Sequence, residues 1–82
     1  MKANRAYELI HTRGNLRPAR LAGDERLDTV EVVSIDDGEV QLFWELPARR
    51  ALTVLRLLRT DLATLDAQEF IERWRAVDED LS

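Results

Sequence analysis

The stretch "TVEVVSIDDGEVQLFWEL", residues 29 to 46, holds two runs rich in β-branched and aromatic residues on either side of Asp37-Gly38. Such runs read as a β-hairpin, because a two-residue type I′ turn needs positive φ at both central positions and an Asp-Gly pair supplies it readily. That turn sets Ile35 opposite Val40, Val33 opposite Leu42 and Glu31 opposite Trp44. Alternation then gathers Val33, Ile35, Val40, Leu42 and Trp44 on a core face and leaves Val30, Val32, Ser34, Gln41, Phe43 and Glu45 on the other. With Val30, Val32 and Phe43 the second face is more apolar than solvation requires, and a lone two-stranded ribbon is marginal in water. It calls for cover, from the N-terminal segment or from a second copy of the chain. Phe43 is expected to protrude, and Trp44 and Trp74 to fill the core.

Pro47 suits the first position of a helix, where its missing N–H costs nothing. Ala51, Leu55, Leu58, Leu62 and Leu65, with Val54 alongside, then form one helical stripe, giving a helix from 47 to about 63. "DAQE", residues 66 to 69, reads as a capping box that starts a second helix with Phe70, Ile71, Trp74 and Val77 on its apolar face. Glu69 and Arg73 are spaced as a supporting ion pair. The acids of "DEDLS" oppose the partial negative charge of a helix C-terminus, so fraying is expected near Asp78, with 78–82 a loose tail.

The beginning is ambiguous. Ala3, Ala6, Tyr7 and Ile10 have helical spacing with Gly14 placed to cap, and this spacing favours a helix, yet "AYELIH" also reads as a strand. In the connection "NLRPARLAGDERLD", Pro18 restricts any strand to a sheet edge, and "AGDE" resembles a turn. Residues 1–27 are therefore a basic segment of open structure. The fold class is α+β: an antiparallel hairpin, with room for a third, N-terminal edge strand, packed on a C-terminal antiparallel helix pair. Neither a repeat nor a linker divides residues 1–82, which form a single domain.

A chain of 82 residues buries only about 60 to 65% of its extended surface, so association with another chain is an easy route to extra stability. At 45% hydrophobic and 34% charged residues it is a folding composition, and its apolar runs are too short to span a membrane. The N-terminus lacks the apolar core of a secretory signal, which makes a cytoplasmic location the expectation. The net charge of −4 weighs against a dedicated nucleic-acid binder. It is unevenly spread: Lys2, Arg5, Arg13, Arg17 and Arg20 face only Glu8 in the first twenty residues, whereas residues 21 to 46 are strongly acidic.

Catalytic and cofactor patterns do not emerge. There are no cysteines, and neither Ser34 nor Ser82 has a nearby base in sequence. Gly14, Gly23 and Gly38 match no phosphate-binding loop. "DDGE" lacks the alternating acids of a calcium loop, His11 with Glu8 gives at most two metal ligands, and Asp24 with Glu25 implies no cleft. No enzyme, metal, cofactor or small-molecule site is expected.

The functional candidates are surfaces. In "LPARRALTVLRLLRTDL", residues 46 to 62, Arg49, Arg56 and Arg59 form an outward ridge with Thr53 and Thr60 nearby, while Arg50 lies near the edge of the leucine stripe. Leu52 sits between Arg56 and Arg59, which is unexpected on a solvated face. The expectation is a small non-enzymatic protein-binding or regulatory module that pairs with itself as a homodimer or with another protein through Val30, Val32 and Phe43, with Leu52 part of an interface. Arg49, Arg56 and Arg59 would meet an acidic partner. The alternative is a nucleic-acid-binding regulator using those arginines with the arm at Arg13, Arg17 and Arg20, although the ridge lacks the asparagines and glutamines that read base edges.

Overall fold

The computed structural model describes residues 1–14 and 26–81 of the chain. A helical turn α1 (Ala3–Ala6) leads into strand β1 (Tyr7–Thr12). Strands β2 (Leu27–Ser34) and β3 (Val40–Pro47) form the hairpin, and helices α2 (Ala48–Thr64) and α3 (Ala67–Leu81) follow. The sheet is antiparallel with order β1-β2-β3. The α+β architecture and the N-terminal edge strand thus agree with the sequence. The helical spacing of Ala3 and Ala6 yields only one turn before the chain extends at Tyr7. A longer helix would leave β2 without its second neighbour.

The hairpin differs from its expected register by one residue, which inverts the two faces of β2 while β3 keeps Leu42 and Trp44 inward and Phe43 outward as expected. Val30 lies opposite Trp44, Glu31 opposite Phe43 and Val32 opposite Leu42, and a bulge at Gln41 then sets Val33 opposite Val40. No type I′ turn forms, because only Gly38 takes positive φ, at 73°. Residues 35 to 39 instead make a longer loop. It is closed by Ser34 N–H to Glu39 O at 2.8 Å and Gly38 N–H to Ser34 O at 2.8 Å, and Asp37 Oδ1 accepts from Glu39 N–H at 2.9 Å.

Val30 and Val32 are consequently core residues, both 0% exposed, and are not part of any interface. Ile35 and Val40, expected in the core, are exposed. The physical reason is Glu31: the type I′ register would bury this carboxylate beside Trp44, whereas the observed one buries two valines in its stead. β1 confirms the parity, since Leu9 pairs with Val32 and His11 with Val30 on the inner face, while Ile10 pairs with Glu31 on the outer.

The core lies between the inner sheet face and the helices. Val30, Val32, Leu42, Trp44 and Leu46 meet Ala51, Leu55, Leu58 and Leu62 of α2 and Phe70, Ile71 and Trp74 of α3, with Val54, Leu65 and Val77 at its margin. These are the helical stripes read from spacing. Trp44 and Trp74 meet edge to face at 5.8 Å between ring centroids, and Phe70 touches Tyr7 at 5.6 Å and Trp74 at 6.5 Å. Asp61 ties the helices together, accepting from Trp74 Nε1 at 2.9 Å and Arg73 Nη1 at 3.2 Å. Arg73 therefore reaches across to α2 and does not bridge along α3 to Glu69.

Pro47 closes β3 and acts as the N-cap of α2, one position ahead of its expected place inside the helix. The aspartate half of the capping box forms, with Asp66 Oδ2 accepting from Gln68 N–H at 3.3 Å. The N-terminus secures the same junction through Ala3 N–H to Leu65 O (3.0 Å), Ala67 N–H to Met1 O (2.8 Å) and the terminal ammonium to Asp66 Oδ1 (2.9 Å). α3 continues past Asp78 to Leu81, with Val77 and Asp78 half-buried where fraying was expected. Among the described residues, no helix is long and apolar enough to cross a membrane.

Candidate functional site

Both helices pack on one face of the sheet, and the other face is built from the alternate positions of all three strands. Register arranges it in rows: Glu8, Val33 and Val40; then Ile10, Glu31 and Phe43; then Thr12, Thr29 and Glu45. Phe43 is 53% exposed and Ile10 38%, a large apolar side chain on each side of Glu31. Val33 is buried between its strand neighbours yet stands outside the core beneath the helices. The three glutamates of these rows, Glu8, Glu31 and Glu45, fall on one diagonal across the strands, so the face combines an apolar patch with a line of negative charge. Phe43 is where the sequence placed it, facing outward, but its expected companions Val30 and Val32 have given way to Ile10, Val33 and Val40.

The second surface is the outward side of α2. Arg49, Arg56 and Arg59 are exposed there, and Leu52 is 60% exposed among them. The ridge is as the spacing implied. Arg49, Arg50, Thr53 and Val54 border a shallow groove beside it. The hydroxyls of Thr53 and Thr60 are turned back onto the carbonyls of Arg49 (3.5 Å) and Arg56 (3.1 Å). Arg17 and Arg20 of the basic arm, like Pro18, Gly23, Asp24 and Glu25, lie outside the described residues.

A third constellation was not legible in sequence. Asp28, on the inner side of β2, is fully buried and accepts from Arg26 Nε at 2.7 Å and Arg26 Nη2 at 3.2 Å, from His11 Nε2 at 2.8 Å, and from Gly14 N–H at 3.2 Å. The Arg26 guanidinium, followed by His11, holds its carboxyl well below the usual carboxylate range. Burial opposes them and the Gly14 amide adds to them. A Cβ built on Gly14 would overlap the carbonyl oxygen of Leu27, so glycine is required where β1 passes the start of β2. The cluster joins the residues at the end of β1 to those at the start of β2. Its chemistry is that of a structural clasp. His11 points inward and Glu8 outward, which separates the two groups that a helix would have made neighbours. Among the described residues, no group of three or more His, Asp or Glu side chains is placed to hold a metal ion.

Comparison with known protein families, curated proteins and solved structures gives no match to this chain.

Proposed function

We propose that the protein is a small, non-catalytic protein-binding module whose interface is the outer face of the sheet. The observation that carries this reading is the row Ile10, Glu31 and Phe43: two exposed apolar side chains flank a carboxylate on a face opposite the helices. A half-exposed phenylalanine on a rigid strand loses little side-chain entropy on docking, and aromatic anchors of this kind dominate binding energy at interfaces. The glutamate diagonal sets the character of the partner, which is a basic segment with an apolar side, since complementary charge steers encounter and rejects acidic competitors.

Selection of helical peptides from a displayed library against the wild-type protein tests this reading. The enriched peptides are expected to be basic and amphipathic and to lose at least tenfold in affinity for a Phe43→Asp variant, about 1.4 kcal/mol. Enriched peptides that bind Phe43→Asp as tightly as wild type would place the binding surface elsewhere and overturn the reading.

A further inference from the structure

We infer that the sheet face receives the α2 ridge of a second copy of this chain, so that the protein assembles head to tail. This rests on reading the sheet face as a binding surface and adds its occupant. The two surfaces belong to opposite sides of one molecule. α2 turns Ala51, Leu55, Leu58 and Leu62 toward the inner face of the sheet, so Arg56 points away from it and Leu52 and Arg59 lie along the exposed flank. A single copy cannot bring its ridge onto its own outer sheet face. Two copies can.

Each surface carries what the other lacks. The sheet presents Glu8 and Glu31 beside Ile10 and Phe43; the ridge presents Arg56 and Arg59 beside Leu52. Symmetric alternatives are disfavoured by the same charges. A two-fold sheet-to-sheet dimer sets the glutamate diagonal against its own copy, and a two-fold ridge-to-ridge dimer does the same with arginines. The contact of unlike surfaces removes both conflicts, and because it uses one donor and one acceptor surface per chain it propagates into chains or closes into a ring.

Sedimentation velocity on the full chain and two variants tests this. Wild-type protein near millimolar concentration is expected to exceed twice its 9.5 kDa chain mass and to fall back toward monomer at about 1 M salt, where the screening length is roughly 3 Å. Arg56→Glu/Arg59→Glu removes the ridge, and Phe43→Asp removes the sheet surface. All three positions are exposed, so both variants are expected to melt like wild type. Each alone is expected to be monomeric, and an equimolar mixture is expected to form a one-to-one pair that stops at two chains. A wild-type protein that stays monomeric, a wild-type dimer that does not grow, or variants that fail to pair with each other would overturn the inference. A monomeric wild type that still selects Phe43-dependent peptides would leave the binding module standing with a foreign partner; loss of both results would remove both.

Discussion

Asp28 shows how one buried charge is tolerated in so small a core. Isolated burial of a carboxylate is costly, and here a guanidinium, an imidazole and a backbone amide satisfy it together. Because its proton affinity is lowered in the folded state, the unfolded chain binds more protons than the folded one once the pH drops into the carboxylate range. Asp28 therefore stabilises the fold above about pH 4, and this contribution is lost progressively as the pH falls below it. Asp66 acts in the same direction through the terminal ammonium, with a smaller effect because it is half exposed. Urea denaturation across pH 2 to 7 is expected to show wild-type stability falling below about pH 4. Asp28→Asn should be less stable at neutral pH but have a flatter acid limb. Parallel curves for the two proteins would show that Asp28 is not the group responsible. None of this was legible from the sequence, where His11, Gly14, Arg26 and Asp28 are residues with no evident common site. The cluster exists only because β1 lies antiparallel to β2 and brings His11 opposite Val30, beside Asp28.

At the scale of elements, the two long helices were readable almost residue by residue, while the hairpin was readable in kind but not in register. Helical stripes are set by spacing within one segment. Ala51, Leu55, Leu58 and Leu62 need nothing distant to declare their common face. Strand register depends on the turn and on the neighbouring strand together. Asp37-Gly38 pointed to one turn, and the parity of Val30, Glu31 and Val32 pointed to another pairing. The second prevailed because it buries valines in place of a glutamate and costs only a longer loop and a bulge. The faces of α2 can be separated directly: Leu58 is fully buried and Leu52 is 60% exposed. Leu58→Ala is expected to lower unfolding free energy by about 2 to 5 kcal/mol, whereas Leu52→Glu should change it by less than about 0.5 kcal/mol while weakening self-association. Chemical denaturation checks the first pair of values, and sedimentation the last. Comparable destabilisation by the two substitutions would mean that the ridge is not an outward face.

The whole molecule is a two-layer structure with its helices on one side. Arginines line the outer side of α2, and glutamates cross the outer sheet. Sequence reasoning found both halves separately, Phe43 as an outward aromatic and Arg49, Arg56 and Arg59 as a ridge, but assigned the sheet surface to Val30 and Val32. It missed Ile10 because residues 4 to 12 favoured a helix by spacing. With β1 in place, Ile10, Glu31 and Phe43 become one row, and the sheet surface acquires a chemistry complementary to the ridge. The most direct measurement is a comparison of backbone amide and methyl chemical shifts in dilute and concentrated solution. Shift changes are expected in two separate groups, one on the outer sheet around Ile10, Glu31 and Phe43 and the other along α2 at Leu52, Arg56 and Arg59. Spectra that do not change with concentration, or changes that leave either group untouched, would contradict the account.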